Sequence, residues 1–180
     1  MQPKTYLQNP HFKMSHKFLG EATYSEAIES FVIVDADVAL VNADSKKILL
    51  LARRRHKPMQ GLWVIGGRIF AGEDERVAIK RLFKRETSLD IESARFQFIT
   101  MNRYIWSERE QAPQDKGSDN LSYTFALALA PAEIEIVSKH LDSEEYDAAA
   151  GLREFTRGEL VKENAHPAIL DMYDALFPVS

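Results

Sequence analysis

The chain has 180 residues, 45% hydrophobic and 28% charged, enough material for one globular domain with a real core. Its formal net charge of -4 speaks against a dedicated nucleic-acid binder, and the absence of cysteine excludes disulfides, thiol catalysis and cysteine-ligated zinc. No apolar run approaches the ~20 residues of a spanning helix, and the stretch from Met1 to Lys13 is polar and proline-broken, so a cytoplasmic protein without a membrane partner is expected.

Residues 1–22 carry Pro3, Pro10 and Gly20 without a clear period and read as an N-terminal arm preceding a domain over 23–180. Thr23 and Glu26 fit a capping box that opens a short helix ending near Ser30. Phe31 to Val41 and Ile48 to Ala52 are apolar runs joined by a polar turn at 42–45, which predicts a hairpin-like pair of strands with one largely buried member. A basic loop, Arg53 to Lys57, ends at Pro58, and a short strand from Leu62 to Ile65 runs into Gly66 and Gly67. The clearest helix spans Glu73 to Thr87. Strands are expected over Arg95–Tyr104 and Leu121–Leu129, separated by the polar loop from Ser107 to Asn120. A helix near Ala132–Leu141, a short strand near Leu152–Phe155 and a helix from Pro167 to Phe177 close the chain. Mixed strands and helices of this kind imply an α/β or α+β fold.

Two carboxylates stand out on physical grounds. At ~100° per residue, Ala78, Ile79, Leu82 and Phe83 share one helical stripe, and Glu86 falls within it. An inward carboxylate must find a cation or hydrogen-bond donors, or lose its charge. Asp37 lies inside an apolar strand and needs a partner for the same reason, such as an arginine or a ribose hydroxyl. Glu73 and Arg81 are spaced either for catalysis or for an ion pair bracing the loop to the helix, and Glu144 and Glu145 lie in an acidic stretch. Trp63 and Trp106 read as packing residues, and His166 as a cap or packing residue at the last helix. The chain contains no nucleotide-binding glycine fingerprint, no phosphate loop, no H-E-x-x-H and no G-x-S-x-G.

Gly67-x5-Glu73-x7-Arg81, continued by Phe83, Glu86 and Leu89, resembles the Nudix box. Leu82, Arg85 and Ser88 replace two glutamates and a glycine of that pattern. Leucine at the position of Leu82, the segment Lys57 to Trp63 before the double glycine, and Asn164 to His166 near the end are similar to the GDP-mannose mannosyl hydrolase branch. The similarity runs over roughly 31–175.

This resemblance implies a Nudix-type α/β/α sandwich with a mixed central sheet, and a Mg2+ ion (Mn2+ as a substitute) held by Glu86, the Gly66 carbonyl and Glu145. It implies water attack on C1 of a nucleoside diphosphate sugar, with Arg54 assisting departure of the nucleotide. Asp37, Arg68, Arg81 and Tyr123 match further substrate positions, and a homodimer is suggested. Tyr146 stands where the branch carries its histidine base, which leaves the adjacent Asp147, Glu144 and His140 as candidates for that role. The expected catalytic set is therefore Arg54, Glu86 and Asp147. Two further readings stay open: a pyrophosphohydrolase cutting between phosphates, and a Nudix domain retained for nucleotide binding or interaction.

Overall fold

The computed structural model describes residues 4–45 and 47–178. Its organising element is β1 (Ile33–Asn42), which is hydrogen-bonded along both edges. One edge pairs in parallel with β6 (Ser118–Leu129) over the whole strand, from Ile33 opposite Asn120 to Asn42 opposite Leu129. The other edge is shared. β4 (Ile65–Arg68) takes the first half, with Asp35 opposite Arg68 and Asp37 opposite Gly66, and β2 (Leu49–Arg54) takes the second. β5 (Gln97–Trp106) lies antiparallel outside β6, while β3 (Gly61–Trp63) and β7 (Arg153–Phe155) flank β2, giving a mixed sheet of seven strands.

The unbroken apolar run of β2 follows from burial on both faces. Successive side chains of a strand point to opposite sides, so Leu50 and Ala52 enter one core while Leu49 and Leu51 enter the other. The first core is covered by α2 (Glu75–Thr87) and α3 (Pro131–His140), through Ala78, Ile79, Leu82, Phe83 and Val137. α4 (Arg157–Lys162) and α5 (Pro167–Leu176) cover the second through Leu160, Ile169, Met172 and Tyr173. The result is the expected sandwich of helices around a mixed sheet.

Several boundaries differ from the sequence reading. α1 spans Glu21–Ser30 and starts at Gly20, so Thr23 and Glu26 lie inside the helix rather than forming its capping box. α2 begins after Asp74, whose side chain accepts from the Arg76 and Val77 amides at 2.9 and 3.3 Å, because the Glu73 carboxylate is engaged elsewhere. Arg53 and Arg54 belong to β2, so the basic loop starts only at Arg55. α4 escaped the sequence reading although Thr156 and Glu159 form the capping box that marks its start. No helix among the described residues is long and apolar enough to cross a membrane.

Candidate active site

The same period of two that builds the cores positions the site. Asp35 and Asp37 lie on the face of β1 that Ala39 presents to the second core, nearer the start of the strand. They line a cleft of about 340 Å³ together with Arg54, Arg68, Gly66, Gly67, Glu145 and Tyr146. Its aromatic wall is Trp63, Tyr104 and Trp106, with Tyr104 and Trp106 stacked at 5.3 Å between centroids. Tyr24 of α1 closes one side, its ring under the Arg68 guanidinium at 4.3 Å. Trp63 and Trp106 thus pack against each other and also face the cleft.

Each of the two aspartates accepts a hydrogen bond from a neutral side chain of β6. Ser122 Oγ donates to Asp37 at 2.6 Å, and Asn120 Nδ2 to Asp35 at 2.6 Å. Parallel register brings both donors there, since β6 places Ser122 opposite Asp35 and Asn120 opposite Ile33. Burial, reinforced by the charge of Asp35, pushes the Asp37 carboxyl up to about 7. Burial likewise raises Asp35 to about 6, against the lowering effects of Asn120, Arg54 and Arg68. The sequence reading missed Asp35, its donors and Tyr24; for Asp35 the signal was its place two residues before Asp37, on the same strand face.

Glu86 is buried as the helical stripe required, with 1% of its surface exposed. Tyr146 Oη donates to one carboxylate oxygen at 2.5 Å, and the Arg85 guanidinium to the other at 2.5 Å. Burial raises the Glu86 carboxyl above its ordinary range, and these two donors oppose that. Burial and the Glu86 charge also hold the Tyr146 phenol well above the usual tyrosine range, so it acts as a donor and not as a base. Segment 142–147 is zipped onto β2 by backbone bonds from Arg55 N to Glu145 O at 2.9 Å and from Asp147 N to Arg53 O at 2.8 Å. This sets Glu145 beside Arg54 at 3.8 Å.

Other expected residues lie elsewhere. Arg81 forms a two-pronged pair with Glu73, at 2.6 and 2.7 Å, also donates to the Arg68 carbonyl at 3.1 Å, and lies over the Phe70 ring at 3.8 Å. Glu73 in turn accepts from the Phe70 amide at 3.0 Å. That geometry is the brace between loop and helix, and Arg81 is not among the residues lining the cleft. Tyr123 stands opposite Ala36 on the other side of the sheet, beside Phe98. Asp147 pairs with Arg55 at 3.7 Å outside the cleft, and His140 bonds the carbonyl of its own helix at Ile136. His166 Nδ1 accepts from the Ala168 amide at 3.2 Å as the cap of α5.

The molecule is thus a mixed sheet between two helical layers, with a glycine pair and a glutamate-bearing helix beside a cleft of opposed charges. Residues 33–176 match the NUDIX domain family, and the chain belongs to that family as a Nudix-type hydrolase. None of the proteins with curated functions matches this chain. Among solved structures it is similar to a mutT/nudix family protein from Listeria innocua, with TM-score 0.55 and 20% identity over 81% of this chain and 91% of that one. The E. coli dihydroneopterin triphosphate pyrophosphohydrolase is similar at TM-score 0.55 and 16% identity, over 82% and 98%. A MutT protein from Methanosarcina mazei gives TM-score 0.55 and 14% identity, over 79% and 91%. Identities this low establish the shared fold.

Nudix hydrolases generally use divalent metals, so the donor set matters. The expected ligands Glu86, Gly66 and Glu145 do not form an open oxygen cage here. Both Glu86 oxygens are taken by donors, Glu145 faces Arg54, and Leu82 is packed in the core. Among the described residues no group of three or more His, Asp or Glu side chains converges for a metal ion. The residues present, as arranged, do not fit a magnesium ion, which takes about six oxygens in strict octahedral geometry.

Proposed function

We propose that the protein hydrolyses a nucleoside diphosphate sugar, with water attacking the sugar C1 and a nucleoside diphosphate leaving. The observation that carries this reading is the juxtaposition, in one cleft, of a buried carboxyl held at about 7 with the guanidinium groups of Arg54 and Arg68. A base for water works best when its pKa lies near the working pH. Asp37 meets that requirement and lines the cleft, whereas Asp147 is paired with Arg55 outside it. In this reading Asp37 takes the proton of water as the new C1–O bond forms. The bond from C1 to the phosphate oxygen breaks, and Arg54 and Arg68 stabilise the charge gathering on the departing diphosphate. Trp63, Tyr104 and Trp106 supply flat apolar surface for a ring of the substrate.

Leu82 favours this reading over cleavage between phosphates. It is 1% exposed in the first core, so α2 offers no second carboxylate at that position. Incubation with a panel of nucleotide sugars in heavy-oxygen water separates the two: the label enters the sugar for attack at carbon and the phosphate for attack at phosphorus. No turnover of any member of the panel sinks the proposal.

A further inference from the structure

Arg85 is one of the three departures from the Nudix pattern, and its surroundings give it a role. It lies in the last turn of α2, where a positive charge faces the negative end of the helix. Its guanidinium donates to Glu86 at 2.5 Å and also reaches the glycine pair, with Nη2 3.9 Å from the point where a Cβ on Gly67 would lie. Glu86 is buried on the protein side, where Tyr146 Oη occupies its second oxygen. Half of the Arg85 side chain is exposed, so the cation plugs the mouth of a buried carboxylate from the solvent side.

We propose that Arg85 is the resident cation of this box: it neutralises Glu86 in place of a divalent ion, and the cleft takes its diphosphate ligand without metal. A buried carboxylate needs one counter-charge, and the Arg85 guanidinium on one oxygen, with the Tyr146 hydroxyl on the other, supplies it and covers the side from which a metal would approach. The diphosphate meets positive charge supplied by the protein, from Arg54, Lys57 and Arg68 on the cleft lining. Removing Arg85 reverses this, because Glu86 then keeps only the Tyr146 hydroxyl and gains an open side toward solvent.

The test uses Mn2+ alone, counted by electron paramagnetic resonance and by calorimetry on the intact protein. Wild type is expected to show no Mn2+ site that depends on Glu86. Arg85→Gly should gain one, at least about tenfold tighter than any wild-type binding, and Arg85→Gly combined with Glu86→Gln should lose it again. Arg85→Lys, which keeps the charge, should behave as wild type. Mn2+ binding by wild type that Glu86→Gln abolishes and that is as tight as that of Arg85→Gly overturns the assignment. A second arm rests on the nucleotide reading: GDP should bind wild type within about twofold equally in chelator and in excess Mg2+. A requirement for Mg2+ overturns metal-free binding. Failure of GDP to bind in either condition refutes the nucleotide reading, while the Mn2+ result still decides the role of Arg85.

Discussion

Replacing Asp37 by asparagine separates the cost of the site from its use. Burial at 7% exposure, with the Asp35 charge nearby, moves the Asp37 carboxyl from 3.8 to about 7. A carboxyl raised in the folded state keeps its proton in a pH range where the unfolded chain has already released it. The folded protein therefore loses stability as pH rises from the unfolded value of 3.8, and the loss is complete above about 7. At about 1.36 kcal/mol per pH unit, ionised Asp37 costs the fold about 4 kcal/mol at neutral and alkaline pH. Asparagine preserves shape, and its carbonyl can still accept from Ser122 Oγ, which now donates to Asp37 at 2.6 Å. Asp37→Asn should thus be more stable than wild type by roughly 2–4 kcal/mol at about pH 8, with the gain vanishing toward about pH 4. Urea unfolding across that pH range measures it directly. Nucleotide-sugar turnover by the same variant should fall by about a hundredfold or more, as for loss of a general base. A variant no more stable at the alkaline end, or a difference that does not change with pH, would refute the assignment of a raised carboxyl to this position.

Other consequences follow from the same cleft and its supports. In Gly66→Ala the new Cβ would lie 2.1 Å from Asp37 Oδ1 and 2.5 Å from the Ala36 carbonyl; since the latter is backbone, β4 must leave β1, and thermal melts should show a loss of at least ~3 kcal/mol. Leu82→Glu, which writes back a glutamate of the family pattern, places a carboxylate in a packed core beside buried Glu86. It should cost more than ~3 kcal/mol in denaturant unfolding, without creating metal-dependent activity. GDP affinity should tighten as pH falls through about 7 and then about 6, because protonating Asp37 and Asp35 removes negative charge facing the diphosphate; calorimetry that shows weaker binding at acid pH excludes their proximity to the phosphates.

The relation between box and site shows where sequence reading succeeds. The stripe of Ala78, Ile79, Leu82 and Phe83 already required Glu86 to be buried and partnered, and it is. The spacing of Glu73 and Arg81 left catalysis and bracing open, and only the contacts to Phe70 and to the Arg68 carbonyl distinguish them. The raised carboxyl of Asp37 lay beyond sequence reach for a different reason. A carboxylate's proton affinity depends on what covers it, and the cover of Asp37 comes from β6, β4 and the wall of Tyr104, all distant in the chain.

The sequence by itself determined the fold class, most of the run of strands and helices, and the membership that the glycine pair, the helix and the flanking segments signal. The fold class and the elements follow from local periodicity and turn chemistry, which a single stretch of chain carries on its own, and the family follows from the resemblance of its motif to the Nudix box. Only the tertiary structure decided that Arg85 closes onto Glu86, that Tyr146 donates to it, and that Asp35 and Asp37 share one cleft with Arg54 and Arg68. Arg85 and Glu86 are neighbours in sequence, but which way each side chain turns, and which distant residues such as Tyr146 and Ser122 meet the buried carboxylates, is settled by distances of a few ångströms that no pattern along the chain encodes.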